Sequence, residues 1–181
     1  MSFYQRFTEI GSKFIGKATL FKHGFNWSPM YRRSTAKIRA VSKDLKQIDI
    51  KLPISYKNRN YVNSIFGGSM FSAVDPIPMV QLMNLLGKDY VVWDKSAQIF
   101  FKRPAKTDLY ARFTVTEEEL DVIKQRVAKE KEIDIVKITR LQDRSFETVF
   151  CEVHKTIYIA DKAFFKAKRK KKRENANKAT Q

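Results

Sequence analysis

The stretch YVNSIFGGSMFSAVDPIPMV, residues 61–80, holds the residue types in this chain best suited to chemistry. Gly67 and Gly68 are adjacent in an apolar run, and one carboxylate, Asp75, follows eight residues after the first glycine. Glycines at the start of a helix let the backbone approach a ligand closely, because no Cβ intervenes. The first amides of a helix have no internal partners and lie at the positive end of the helix dipole. They suit an oxygen on which negative charge develops during a reaction. A carboxylate in an apolar cleft suits proton abstraction or nucleophilic attack, because burial tunes its basicity. Each residue also has a plain structural alternative. The glycines can serve tight helix–sheet packing, Asp75 can be a turn or cap residue before Pro76, and Asn60, in the polar stretch SYKNRNYVNS, can be a turn residue.

The elements that must position these residues follow from hydrophobic spacing. Met70, Phe71, Val74, Ile77, Met79, Val80, Leu82, Met83, Leu85 and Leu86 leave little polar face, so this helix must be wrapped by other elements. Pro76 and Pro78 deprive the carbonyls of Ser72 and Val74 of their helical donors, and Pro76 disfavours helical conformation at Asp75, so a kink or break is expected there. Short strands are expected over 36–41 and 46–52, then in YVVWDKSAQIFFKRPAK ending at Pro104, in LYARFTVT, in EIDIVKITRLQ and in FETVFCEVHKTIYIA. Thr116 and Glu119 form a capping box that opens a helix with Leu120, Ile123 and Val127 on its apolar side. Residues 2–25 repeat Phe3, Phe7, Ile10, Phe14, Ala18 and Phe21 at helical spacing, with Gly11 and Gly16 as weak points. NWSPMYRRST reads as a linker with a Ser-Pro turn signal, and QDRS as a hairpin turn. Antiparallel strands around one very apolar helix make an α+β domain.

This pattern resembles the hotdog fold, a curved antiparallel β-sheet wrapped around a long central helix, here with an additional N-terminal helix. Within it the chain resembles the acyl-CoA thioesterase-like branch, particularly the DUF4442 family. The resemblance rests on NYVNSIFGGSMFSAVD, with Asn60, Gly67, Gly68 and Asp75 in register, on IFFKRPAKTD, similar to a strand ending in Arg-Pro-Ala, and on element order over roughly 36–160. It implies a site in which the Gly67–Gly68 amides hold a thioester carbonyl, Asp75 acts as general base or nucleophile across a subunit interface, and Asn60 holds the water or the carbonyl. Phe66 and Met70 then contact the acyl group, and Lys102 and Arg103 (with Lys106 beside them) attract the phosphates of CoA. The expected substrate is an acyl-CoA or acyl carrier protein thioester, with coenzyme A entering as part of the substrate and no separate cofactor. The expected assembly is a homodimer or tetramer. The chain departs from the pattern at Phe66, where many relatives have His, and at the two prolines. One alternative is a non-catalytic hotdog protein that binds acyl chains or acyl-CoA; another is a basic scaffold associated with nucleic acid or a membrane.

Composition bounds the rest. At 181 residues the chain fits one folded domain, divided as an N-terminal amphipathic helix over 1–30, a hotdog domain over 31–163 and a basic disordered tail over 164–181. The lone Cys151 excludes an intramolecular disulfide and a cysteine zinc site, and points to a reducing cytoplasmic location. No window is long and apolar enough for a membrane span. No Walker loop, dinucleotide fingerprint or metal-ligand cluster occurs. Of the formal net charge of +17, +7 falls in the tail, where eight Lys/Arg face one Glu, so nonspecific contact with polyanions or an anionic membrane is an expected property of that segment. His154 alternates with Phe150, Glu152 and Tyr158 on the last strand and reads as structural.

Overall fold

The computed structural model describes residues 16–178, so the face formed by Phe3, Phe7, Ile10 and Phe14 lies outside the described residues. Six strands form one antiparallel sheet in the order β1-β2-β4-β5-β6-β3. They are β1 (Lys37–Val41), β2 (Gln47–Leu52), β3 (Tyr90–Phe101), β4 (Leu109–Thr114), β5 (Glu132–Gln142) and β6 (Val149–Asp161). Between β2 and β3 the chain forms α3 (Gly67–Val74) and α4 (Pro76–Leu86), the two halves of the apolar central helix. Their inward residues Met70, Ala73, Val74, Ile77 and Leu82 are buried. They meet alternating strand residues such as Ile48, Ile50, Leu109, Ala111, Val153 and Ile157. The core therefore lies between the central helix and one face of the sheet, as period-2 strands against an all-apolar helix require.

At the N-terminal side, α1 (Lys17–Trp27) continues from Gly16 and packs Ala18, Phe21 and Phe25 onto the same core. The segment expected to be a linker instead contains a single-turn helix, α2 (Pro29–Arg32), with proline at its first position. Its Tyr31 is wholly buried, meets the Phe25 ring edge-on and donates its hydroxyl to the Ala73 carbonyl at 3.0 Å. This tie needs a rigid turn, which explains why polar, turn-forming sequence is ordered as helix there.

Helix α5 (Glu117–Glu130) starts where the Thr116 hydroxyl accepts the Glu119 amide, and buries Leu120, Ile123 and Val127. Strands β4 and β5 pair only at Tyr110 with Gln142; farther along, Lys137 bridges them by bonding the Thr114 carbonyl and Glu119. The basic segment expected to be a disordered tail is helical over α6 (Lys162–Lys178). Its first two turns are anchored by the Phe164 amide on Asp161, by Phe165 near Tyr158, and by Lys168 on Glu132. Lys, Arg, Ala and Glu favour helix once such a start is fixed. Among the described residues no helix is long and apolar enough to cross a membrane.

Candidate active site

The start of α3 is set by the loop before it. Asn58, only 3% exposed, is the post of that loop. Its side-chain amide donates to Thr35 Oγ1 and to the Pro53 carbonyl, its side-chain oxygen accepts the Ser55 amide, and its main-chain carbonyl accepts the Phe66 amide at 2.7 Å. The next-door Ile65 amide bonds the Ala105 carbonyl in the β3–β4 connection. Helix α3 thus begins at a fixed place beside the end of β3. The Phe66 carbonyl accepts the amides of Ser69 and Met70, while those of Gly67 and Gly68 have no partner among the described contacts. These are the free helix-start donors expected from the sequence.

Two aromatic rings crowd the glycines. A Cβ on Gly67 would come within 2.7 Å of the Phe101 ring, and one on Gly68 would collide with the Phe66 ring. Both phenylalanines are 57% exposed, so they form an open apolar rim around the helix start. Met70, expected at the same rim, is buried in the core. Lys102 and Arg103 follow Phe101 directly and have no acidic partner among the described ion pairs; the Lys102 ammonium lies 5.4 Å from the centre of the Phe100 ring.

Asn60 does not join this group. Its side-chain oxygen accepts the amides of Val62 and Ser64, and its nitrogen donates to Ser64 Oγ at 3.0 Å. The side chain closes a tight turn, the structural alternative open to it. The asparagine that matters to the helix start lies two residues earlier.

Asp75 stands at the junction of α3 and α4, where the helix breaks as the prolines require. It keeps helical φ and ψ of −50° and −54°, against the preference imposed by the following proline. The reason is a group the sequence reading passed over. Lys155, from β6, bonds both the main-chain carbonyl of Asp75 and its Oδ1, the latter at 2.5 Å. Its third contact is Asp94 Oδ2 at 2.9 Å, on β3. Lys155 is 3% exposed, amid an inward row of Cys151, Val153, Ile157 and Ile159. The signal was present: alternation makes Lys155 the one charge in an otherwise apolar row. Its neighbour His154 lies on the opposite face, bonded to Glu152 at 2.7 Å with its ring against Phe100.

Asp94 reaches Lys155 because it pairs with the inward Ile157, just before a bulge in β3. Asp94 pairs with Ile157 and Ser96 with Thr156, so Lys95 is an extra residue in the ladder. The bulge absorbs this residue, so Asp94 on one side and Ile99 and Phe101 on the other pair with inward residues of β6. Burial raises the Asp94 pKa above the ordinary carboxylate value, partly opposed by Lys155. Its Oδ1 is buried without a hydrogen-bond partner. Asp75 is more open, with its side chain 41% exposed and Oδ2 unpartnered among the described contacts.

The site therefore has two ends: free amides under an aromatic rim at Gly67–Gly68, and a clamped carboxylate with one open oxygen at Asp75. A family model described as "Domain of unknown function (DUF4442)" matches residues 17–159. No curated protein matches the sequence. Among solved structures, a protein of unknown function from Pseudomonas aeruginosa, described as a probable thioesterase, superposes with a TM-score of 0.68 at 17% identity over 78% of this chain and 94% of its own. A protein of unknown function from Chlorobaculum tepidum gives 0.60 at 13% identity, over 87% and 94% of the two chains. A thioesterase from Haemophilus influenzae gives 0.56 at 12% identity, over 78% and 88%. At these identities the likeness establishes the hotdog fold.

Proposed function

The chain belongs to the DUF4442 family, and on that premise we propose that it is a thioesterase that hydrolyses acyl-CoA to free acid and CoA. One observation carries this reading: the two ends of α3 hold complementary halves of a hydrolytic site. Free amides at Gly67 and Gly68 suit the oxygen of a thioester carbonyl as it becomes an oxyanion. The open Oδ2 of Asp75 suits the proton of an attacking water. In the step this supports, the water oxygen bonds to the carbonyl carbon as its proton passes to Asp75. Collapse of the intermediate then expels the thiolate, which takes that proton from Asp75 and leaves the carboxylate ionised again. Phe66 and Phe101 offer apolar contact to the acyl group, and Lys102 and Arg103 offer charge to the phosphates of CoA. Thioesterases among the fold neighbours add support.

Eight residues at 1.5 Å each separate the two ends by about 12 Å along the helix axis. One thioester carbonyl cannot meet both ends in one protomer. On this reading the Asp75 that serves the amides of one protomer comes from a second copy, so the reading calls for a homodimer or a dimer of dimers. The edge strand β3 pairs only with β6 and exposes Trp93, Phe100 and Phe101, features of an edge that needs covering.

The test is thiol release from short, medium and long acyl-CoAs by wild type and Asp75→Asn, with light scattering for assembly. We expect a dimer at micromolar concentration and a loss of about 100-fold or more in kcat in the variant. A monomer that turns over at full rate would rule out the shared site. One observation favours a second reading, an acyl-binding protein without turnover: the Phe66 and Phe101 rings stand close over the glycines. Acyl-CoA that binds wild type and is never cleaved would select it.

A further inference from the structure

Lys155 is buried where a charge is costly unless paired and fully hydrogen-bonded. Its ammonium has three hydrogens, and three oxygens receive them: the Asp75 carbonyl, Asp75 Oδ1 and Asp94 Oδ2. With its side chain 4% exposed and every donor engaged, Lys155 has nothing left to offer a substrate. It cannot hold an oxyanion or act as a nucleophile without releasing a carboxylate. Any part it plays in chemistry must pass through Asp75.

Its effect on Asp75 is specific. A free carboxylate presents either oxygen and rotates about its Cα–Cβ bond. Here the main-chain carbonyl and one carboxylate oxygen are held by the same ammonium, so the second oxygen has a fixed direction, and it is the one without a partner. Asp94 braces the ammonium from the edge strand, 2.9 Å away on its other side. The brace exists because Asp94 pairs with the inward Ile157, on the helix-facing side of β3.

We propose that Lys155, braced by Asp94, is a positioning residue that fixes one oxygen of Asp75 and aims the other at the attacking water. This inference rests on the thioesterase reading above and names two residues that act through its base. A purely structural alternative exists: the same contacts pin the proline-broken junction of the central helix to β6.

The experiment is steady-state kinetics on the full chain, with whichever acyl-CoA wild type cleaves best, for Lys155→Met, Asp94→Asn, Asp75→Asn and the double variant Lys155→Met/Asp75→Asn. Expected are a loss of about 100-fold in kcat for Lys155→Met with KM within about threefold, and a loss of about tenfold for Asp94→Asn. In the Asp75→Asn background, Lys155→Met should cost nothing further, because its effect passes through the missing group. Additive losses in the double variant, or a Lys155→Met enzyme with kcat within about threefold of wild type, overturn the proposal while hydrolysis stands. Should Lys155→Met fail to fold, Asp94→Asn decides: wild-type kcat there overturns the proposal, and a kcat loss at unchanged KM supports it. Absence of thiol release by wild type on every acyl-CoA tried overturns the hydrolytic reading, and this inference falls with it.

Discussion

Gly67→Ala separates the two uses of a glycine at this site. The added methyl meets the Phe101 ring at 2.7 Å, but that ring is the far end of a half-exposed side chain and can swing aside. We expect unfolding free energy to change by less than about 1 kcal/mol, the scale of a glycine-to-alanine exchange in a helix. Substrate binding should suffer instead, as a raised KM in thiol-release assays, because the displaced ring belongs to the rim. Cys151 gives an independent check on the inward row of β6. Burial pushes its thiol up to about 11, so it stays protonated at neutral and mildly alkaline pH. Reaction with a thiol reagent at pH 8 should await unfolding; labelling of the folded protein at the rate of a free thiol would contradict the packing of that row. At this scale the places of the glycine pair at a helix start and of Asp75 at a helix break were legible, because residue type and spacing carry that signal. Asn58 and Asn60 were not separable, since two asparagines in one polar loop differ only in which is buried. Lys155 was legible in principle, through strand parity, and was passed over for the neighbouring histidine.

At the level of elements, Thr116→Ala removes the side-chain acceptor that starts α5. We expect a loss of about 1 kcal/mol in chemical denaturation. Turnover should be unchanged, because α5 packs on Val115, Ile133 and Ile157 rather than at the glycine end of the central helix. Tyr31→Phe should cost a similar amount, about 1 kcal/mol, by removing a buried hydrogen bond to the Ala73 carbonyl. All six strands and the α5 cap follow from alternation and capping chemistry, which are local. Helix α2 did not, because the contact that orders it spans 42 residues of sequence. The central break was expected from Pro76 and Pro78. The helical backbone at Asp75 was not, because a buried lysine from the last strand overrides the local preference.

For the whole molecule, the described helices and sheet leave a basic segment projecting as α6, exposed along nearly all its length. Removing residues 164–181 takes away eight Lys/Arg and one Glu, and the protein should elute from a polyanion column at distinctly lower salt. Hydrolysis should persist, since Asp75, Gly67 and Gly68 lie elsewhere; loss of turnover on truncation would tie α6 to the site. Composition could reveal the charge of this segment but not its anchoring, which depends on Glu132 and Tyr158 on neighbouring strands.

The extra residue in β3 has a genetic consequence. Loss of the single codon for Lys95 would preserve the reading frame and nearly the whole composition, and it would turn the bulge into a regular ladder in which Asp94 opposite Ile157 and Ser96 opposite Thr156 keep their faces. Asp94 and Phe101 both keep facing inward whether this residue is present or not, so one residue can be gained or lost here without disturbing either end of the site, provided that a bulge absorbs it. Homologues that differ by one residue in this strand must therefore be aligned with a gap at the bulge; an ungapped alignment would match inward residues to outward ones and misassign every site residue beyond it.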